Sequence, residues 1–293
     1  MSSFWSAARR LFKPDETIDP PPTPVAVRSR FFKQAPKDGD VTRLIVFIHG
    51  VMGRAPTTWG DAKAPEIWPS MVGSDARFSS YDIYLVNYPT PPLGQAPDIY
   101  ETATGELNYL KDRGIFKQYR EIHFIAHSMG GLIAKRMLTS LRDSNEMEKL
   151  KQVLSLVCLA TPAQGAQIAS VAHWFSANSQ FEGMMAAHMN ESIKQLEDSW
   201  FNLLRQRDKS FEIFPQVHCA YETLKMFGIL VVPREMANTR CDSTLYPMPF
   251  NHTDMTKVTR TDEDPYLWTM ARVLDAASDF SERQSLGAGQ YRT

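Results

Sequence analysis

A serine in a tight turn between an apolar strand and a helix is the residue best placed to do chemistry in this chain. The segment reads Ile122-His-Phe-Ile-Ala-His-Ser-Met-Gly-Gly131, with a helical pattern of apolar residues after it. A nucleophilic serine on such a turn requires small residues two positions before and after it, which here are Ala126 and Gly130. An unassisted serine is a weak nucleophile at neutral pH, so Ser128 would need a base. The pattern predicts a serine nucleophile for acyl transfer.

Acyl transfer also requires hydrogen-bond donors for the negative charge that develops on the substrate oxygen. The backbone N–H of Met129, directly after the nucleophile, is the first candidate donor. The second should lie in the loop after an early strand, and His49-Gly-Val-Met-Gly53 follows an apolar run. Its two glycines allow a sharp turn and a close approach to a substrate. We predict the N–H of Val51 as the second donor and interpret His49 as a residue that orders the loop.

The base should lie in a loop near the end of the chain, because enzymes built on this turn order their residues as serine, acid and histidine. The histidines after Ser128 are His173, His188, His218 and His252. The first two fall in a segment that interrupts the alternation of strands and helices, and His218 lies within a predicted strand. His252 lies in the loop 249–257, ahead of the last predicted helix, and is the predicted base. His127 is interpreted as structural, because its side chain should point away from that of Ser128.

The acid should lie between the fifth predicted strand and His252. Glu222 is at the end of that strand, where the backbone is rigid and side chains point towards the catalytic edge of the sheet. Glu235 and Asp242 lie in the following loop and remain alternatives, whereas Asp254 is only two residues beyond the base. We favour Glu222, whose carboxylate would fix the tautomer of His252 and stabilise its imidazolium form.

Strands and helices alternate along the chain, which predicts an α/β fold with a mainly parallel central sheet flanked by helices. The predicted strands are 44–48, 81–88, 121–126, 153–160 and 211–221. The predicted helices are 98–113, 131–141 and 266–277. Pro215 weakens the prediction of the fifth strand, because proline cannot donate a hydrogen bond within a sheet.

The chain divides into three predicted parts. Residues 1–35 hold a proline-rich run and are expected to be a tail and linker. Residues 36–280 are expected to form a single globular domain, and residues 281–293 a C-terminal tail. Within the domain, residues 166–210 interrupt the alternation with aromatic and methionine side chains. We favour a helical lid over the site for this segment, because methionine suits adaptable apolar surfaces. Ordinary helical packing against the sheet is the alternative.

The composition argues against several classes of partner. The chain has 293 residues, with 32 Lys and Arg against 33 Asp and Glu, so it lacks the basic surplus expected of a nucleic-acid-binding protein. Its histidines, cysteines and carboxylates do not show the spacing of metal ligands, and we expect neither a metal nor a cofactor. The cysteines lack the spacing of a disulfide framework. We expect Cys158 and Cys219 to be small core residues in a reducing compartment.

The sequence shows no signal-peptide pattern and no apolar run of the roughly 18 residues that a membrane-spanning helix needs. We therefore expect a cytoplasmic protein. The N-terminal residues 4–12 interleave aromatic and leucine side chains with two arginines, so this tail or the lid could contact a membrane surface. A frayed tail is the alternative, and the sequence leaves the oligomeric state open.

Taken together, the motifs resemble the serine-active-site-containing lipase-like family, with GPI inositol-deacylases as more distant kin. The matching segments, within about residues 43–257, are Phe47-Ile-His-Gly-Val-Met-Gly53, Thr58-Trp59, 127–138, Glu222-Thr-Leu224, Val231-Val-Pro233 and Asn251-His252. The resemblance implies an α/β-hydrolase fold and esterase or acyltransferase chemistry, with phospholipid remodelling as the associated process. It aligns both Glu222 and Glu235 with family glutamates and so leaves the acid open. Met236 departs from the usual Glu-Ser-Ala pattern, at a position with no catalytic role.

Three functions fit these residues. We favour a carboxylic-ester hydrolase of lipase, phospholipase or esterase type, acting on a lipid or small-molecule acyl ester through an acyl-enzyme. An acyltransferase or thioesterase would use the same triad and differ in what attacks or leaves the acyl-enzyme. A non-catalytic hydrolase fold used for binding is the third hypothesis, since fold does not dictate activity. The joint presence of Ser128, His252 and the glycine-bearing loop argues against it.

Overall fold

The computed structural model describes residues 30–33, 42–50, 57–60, 66–88, 99–163, 179–210, 212–237 and 240–290. Within these ranges one seven-stranded sheet has the order β1-β3-β2-β4-β5-β6-β7. The strands are β1 (Arg30–Lys33), β2 (Arg43–Ile48), β3 (Tyr81–Val86), β4 (Glu121–His127), β5 (Val153–Leu159), β6 (Gln216–Glu222) and β7 (Tyr246–Met248). β1 runs antiparallel to β3, and all other neighbours are parallel.

Helices lie in the connections between β2 and β6 and cover the sheet, whereas the described residues between β6 and β7 form no helix. They are α1 (Trp68–Ser74), α2 (Ile99–Asp112), α3 (Ile115–Gln118), α4 (Met129–Asp143), α5 (Met147–Leu150), α6 (Ser179–Arg207) and α7 (Asp264–Gln290). Short 3-10 turns lie at Thr57–Trp59, Ala76–Phe78 and Asp254–Thr256. None of the helices in the described part of the chain is long and apolar enough to cross a membrane.

Each face of the sheet carries its own hydrophobic core, which explains why residues 44–48 of β2 are all apolar. Leu44, Val46 and Ile48 pack with α2, α4 and α6 on one face. Ile45 and Phe47 pack with Trp68 of α1 and with α7 on the other. Alternate residues of a strand point to opposite faces, so a strand covered on both sides needs a continuous apolar run. The parallel α/β fold expected from the sequence is thereby confirmed.

The structure differs from the sequence-based prediction mainly at the sheet edges and the chain ends. β1 lies within the predicted linker 1–35, and the three-residue β7 was not predicted, because edge strands this short leave little periodic signal. β6 begins at Gln216 rather than at residue 211, directly after Pro215. Helix α7 extends to Gln290 and so enters the predicted tail 281–293.

Part of the predicted lid 166–210 is ordinary packing. On α6 the side chains of Ile193, Leu196, Trp200 and Leu203 are buried in the core shared with α4. A buried ion pair between Lys135 of α4 and Glu197 of α6, at 2.5 Å, fastens the two helices together. Residues 164–178 and the side chains of 179–190, which include the Met-rich portion, lie outside the described part of the structure, so the lid there stays a prediction.

The prediction for the cysteines is corrected by the structure. Cys219 of β6 forms a disulfide with Cys241, 22 residues further along the chain, while Cys158 is a buried thiol. The expectation that Cys219 would be a reduced core residue is therefore wrong. The bond joins β6 to the segment that returns towards β7, and its two cysteines are too far apart in sequence to form a recognisable local motif.

The start of α4 lies very close to the end of β2 and to Thr161, which follows β5. A Cβ atom added to Gly130 would lie 2.4 Å from the carbonyl oxygen of Ile48 and 2.5 Å from that of His49. A Cβ on Gly131 would lie 2.1 Å from Thr161 Oγ1. Only glycine at both positions allows the helix to approach the sheet this closely, which fixes the turn at Ser128.

We expect Gly130→Ala to lower the free energy of unfolding by about 1–3 kcal/mol, the usual cost of forcing extra atoms into a packed site. Gly105, exposed on α2, is the matched control because an added Cβ there meets nothing within 4 Å. Gly105→Ala should raise stability by about 0.5–1 kcal/mol through helix propensity. Urea unfolding of both variants measures the difference, and equal changes would contradict the close approach.

The disulfide predicts a definite thiol count. Protein unfolded in denaturant without reductant should expose one reactive thiol, that of Cys158, and three after reduction. Thiol titration before and after reduction checks this count. Reduction should also lower stability by about 3 kcal/mol, since the bond closes a loop of this length in the unfolded chain. Three thiols in unreduced protein would show that the bond does not form.

Candidate active site

The structure brings the three predicted triad residues together in one hydrogen-bonded chain. His252 Nε2 lies 3.0 Å from Ser128 Oγ, and His252 Nδ1 lies 2.6 Å from Glu222 Oε2. All three residues are buried, Glu222 completely. Ser128 and His252 are 124 residues apart in sequence, so only the fold of the sheet can bring them into contact.

Ser128 lies in the turn between β4 and α4, at the carboxyl edge of the sheet. Its backbone has φ 53° and ψ −129°, a conformation that non-glycine residues rarely adopt. The turn is fixed by a hydrogen bond from the N–H of Ser128 to the carbonyl of Leu159, at 2.8 Å, and by one from the N–H of Gly131 to the carbonyl of Ser128, at 3.1 Å. This backbone places Oγ beside the imidazole, at the positive end of the dipole of α4.

Glu222 is the last residue of β6, and its carboxylate is held from two sides. Oε1 accepts hydrogen bonds from the backbone N–H groups of Val231 and of Val232, the latter at 2.9 Å. Oε2 accepts a hydrogen bond from the N–H of His252 Nδ1. These donors compensate for removing the charge from water, which would otherwise be costly. They also fix the direction in which the carboxylate points.

His252 lies in the loop between β7 and α7 and is oriented through its backbone as well as its ring. His127 Nε2 lies 2.8 Å from the carbonyl oxygen of His252. Burial, and then the proximity of His252, lowers the pKa of His127 well below its usual value. His127 is therefore neutral, and its Nε2 carries the proton that it donates to this carbonyl. This agrees with the structural role expected for His127.

His49 also has a structural role. Its Nδ1 donates to the carbonyl of Gly50 at 2.8 Å, and its Nε2 accepts from the N–H of Tyr88 at 3.3 Å. The rings of His49 and Tyr88 stack at 4.2 Å. Burial lowers the pKa of His49 to about 4, so the ring is neutral near neutral pH. A Cβ on Gly50 would lie 2.7 Å from Ser128 Cβ, so the backbone at Gly50 lies directly against the serine.

The other candidates for base and acid lie elsewhere. His218 contacts Ser243 and Gln216, each at 3.3 Å. Asp242 forms an ion pair with Arg207 and accepts a hydrogen bond from the N–H of Val217. Glu235 is exposed to solvent. Of the three carboxylates that the sequence left open, Glu222 is the one that contacts His252.

Of the two predicted oxyanion donors, only one lies in the described part of the structure. Met129 is the first residue of α4, and the first N–H groups of a helix have no partner within the helix. Its N–H is thus available beside Ser128. Val51 lies outside the described residues, as do His173 and the side chain of His188. Among the described residues there is no group of three or more His, Cys, Asp or Glu placed to hold a metal ion.

The sequence did not predict the roles of two groups in the site. The N–H groups of Val231 and Val232 hold Glu222, yet the sequence showed them only as part of a motif without a role. His127 anchors the carbonyl of His252 rather than merely filling space. Backbone donors leave no trace in residue type, so sequence patterns alone cannot identify them.

Comparison with known proteins identifies the family to which this chain belongs. Residues 19–218 match the family described as a domain of unknown function, DUF7379. The chain is 25% identical to Protein SERAC1 of Danio rerio over 258 residues, and 24% identical to that of Homo sapiens over 265. Each alignment covers 79% of this chain, but only 39% and 38% of the relative, so the chain spans about two-fifths of their length. The resemblance drawn from the motifs is confirmed.

Among solved structures, the mature form of the Bacillus licheniformis lipase BlEst2 superposes with a TM-score of 0.52. The two chains are 15% identical, and the match covers 84% of this chain and 97% of the lipase. At this level of identity the likeness establishes the fold alone. The chain therefore belongs to the DUF7379 family and has the α/β-hydrolase fold.

Proposed function

We propose that this protein is a serine hydrolase that cleaves carboxylic esters through Ser128, His252 and Glu222. The observation that carries the proposal is the continuous hydrogen-bonded chain from Ser128 Oγ through the imidazole of His252 to the buried carboxylate of Glu222. The strained backbone of Ser128 supports it, because strain of this kind is found at functional sites. No metal or cofactor is needed for this chemistry.

In the first half of the reaction, Ser128 Oγ attacks the acyl carbon while His252 Nε2 takes the hydroxyl proton. The carbonyl electrons move to the substrate oxygen, where the N–H of Met129 and, as we propose, that of Val51 stabilise the negative charge. Collapse of this intermediate breaks the ester bond. The leaving alcohol receives the proton from His252, and the acyl group remains on Ser128.

In the second half, a water molecule attacks the acyl-enzyme. His252 takes a proton from the water and returns it to Ser128 Oγ as the carboxylic acid leaves. The hydrogen bond to Glu222 keeps a proton on Nδ1 of His252 throughout the reaction. Nε2 therefore faces Ser128 and exchanges the proton. The charge of the carboxylate stabilises the imidazolium formed in each half.

The proposed substrate is a lipid or another apolar acyl ester. Support comes from the resemblance to lipase-like proteins and from the lipase BlEst2, whose fold this chain shares. The lid proposed for the Met-rich part of 166–190 would cover such a substrate. An acyltransferase would use the same triad with an alcohol in place of water, so analysis of products with an added alcohol separates the two reactions.

We expect a fluorescent fluorophosphonate to label the wild-type protein and to leave Ser128→Ala unlabelled, because the probe reacts only with an activated serine. His252→Ala should label far more slowly, since the base is missing. Labelling measured on gels over time checks both variants. Equal labelling of wild type and Ser128→Ala would mean a different nucleophile. A folded wild type that resists the probe even in detergent would favour a non-catalytic binding protein.

We expect Glu222→Gln to lower kcat on a soluble ester by about 10³–10⁴-fold, the loss typical of removing the charge that orients a triad histidine. The amide oxygen would stay on the N–H groups of Val231 and Val232, so its NH₂ group would face His252 Nδ1. The imidazole would then carry its proton on Nε2 and could not accept one from Ser128.

The matched control is Glu235→Gln, which removes the same charge from an exposed position in the loop after β6. Its kcat should stay within about twofold of wild type, as expected for a surface substitution away from the site. Steady-state kinetics of the two variants measures the difference. A large loss in Glu235→Gln with little loss in Glu222→Gln would reassign the acid.

A further inference from the structure

The segment directly after Glu222 carries a concentration of exposed apolar side chains. Leu224, Phe227 and Ile229 are 53%, 86% and 41% exposed. They are three of the seven large hydrophobic side chains that are exposed among the described residues. We call residues 223–230 the apolar turn. Exposing so much apolar surface within a few residues is unfavourable in water and commonly marks an interaction site.

The apolar turn has a defined shape. Met226 and Ile229 exchange backbone hydrogen bonds of 2.8 and 3.2 Å across its tip. Phe227 and Gly228, between them, have φ of 49° and 87°. Two successive positive φ values characterise a type I′ turn, which closes a tight hairpin. Phe227 therefore stands at the tip of a narrow protrusion rather than on a flat surface.

The base of the apolar turn is fixed to the triad. Thr223 bonds the carbonyl of Met248 through both its N–H and its hydroxyl, at 3.0 and 2.9 Å. On the far side of the turn, Val231 and Val232 hold the carboxylate of Glu222. The hydroxyl of Thr253, next to His252, lies 3.5 Å from the sulfur of Met226. The protrusion thus stands beside the site, at the carboxyl edge of the sheet.

We propose that the apolar turn inserts into the surface layer of a phospholipid membrane and holds the carboxyl edge of the sheet against it. Phe227, Leu224 and Ile229 would enter the boundary between headgroups and acyl chains, where aromatic and aliphatic side chains bind. Lys225, exposed within the same turn, would contact anionic headgroups. The proposal rests on the proposed function for its purpose, which is to bring a lipid acyl ester to Ser128.

The shape of the turn favours a lipid surface over a protein partner. A stable protein–protein interface buries about 800 Å² on each side and needs a broad complementary surface. Three apolar side chains and a lysine on one narrow hairpin offer much less. A fluid lipid layer adapts to a protrusion of this kind and needs no matching pocket.

The test measures binding without turnover. In a Ser128→Ala background, the protein is sedimented with vesicles of phosphatidylcholine and phosphatidylserine in equal amounts. Phe227→Ser should weaken binding by about tenfold or more, because burying one large aromatic side chain changes an equilibrium by at least that factor. Lys225→Gln should weaken it about fivefold on these vesicles and leave binding to pure phosphatidylcholine vesicles unchanged.

Leu286→Ser is the matched control, because Leu286 is 67% exposed on α7. Earlier on this helix, Asp279 accepts a hydrogen bond from Gln216 at the start of β6, so Leu286 lies at the opposite edge of the sheet. Its substitution should leave vesicle binding unchanged. Thermal unfolding verifies that each variant is folded. If Phe227→Ser does not fold, Leu224→Ser provides a second test within the apolar turn.

Three results would overturn the proposal. The parent protein could fail to bind vesicles, Phe227→Ser could bind as tightly as the parent, or Leu286→Ser could lose binding equally. A change of oligomeric state in Phe227→Ser, seen by analytical ultracentrifugation with vesicle binding intact, would instead make the turn a contact between copies. Failure of the proposed function would show separately, as a wild type that the fluorophosphonate does not label.

Discussion

The close approach of α4 to the end of β2 is the constraint on which the site depends. Gly130 has room for no side chain beneath the carbonyls of Ile48 and His49, and the chain must therefore turn sharply at Ser128. The resulting positive φ carries a steric cost for a residue with a Cβ. The two cores that sandwich the sheet supply the energy to hold it, because moving β2 or α4 would disturb the packing on both faces. The direction of Ser128 Oγ is thus a consequence of backbone packing, not of contacts made by the hydroxyl itself.

The partners of Ser128 reach it from the opposite half of the sheet. Glu222 ends β6, and the register of β6 with β7 sets Glu222 beside Met248, four residues before His252. The chain turns back after Glu222, and the N–H groups of Val231 and Val232 donate hydrogen bonds to its carboxylate. The Cys219–Cys241 disulfide joins the strand to the end of that returning segment. Glu222, the proposed acid, therefore lies at the start of a segment that is tied to its own strand by a covalent bond.

Local patterns were sufficient to predict the sheet interior and the tight turn at Ser128. The continuous apolar run 44–48 of β2 and the mainly apolar strands β4 and β5 indicate burial on both faces, and the small residues around Ser128 indicate the turn itself. The sequence favoured Glu222 but kept Glu235 and Asp242 as alternatives, because all three are carboxylates in one region. Only the structure could show that Glu222 is the one in contact with His252. The Cys219–Cys241 pairing, the edge strands and the packed half of the expected lid were missed for related reasons. Each is decided by contacts between distant segments, which residue type and spacing do not encode.

Three histidines lie around the site, and the structure explains why only one of them suits a base. Both ring nitrogens of His49 are engaged by backbone groups, and burial keeps its pKa low. His127 lies 4.8 Å from His252, ring to ring, and burial likewise lowers its pKa. In the proposed reaction His252 takes the proton of Ser128, and a second cation so close would destabilise the imidazolium. A neutral His127 avoids this repulsion and still donates to the carbonyl of His252. The positive charge of the proposed reaction is therefore confined to the one imidazole that Glu222 faces.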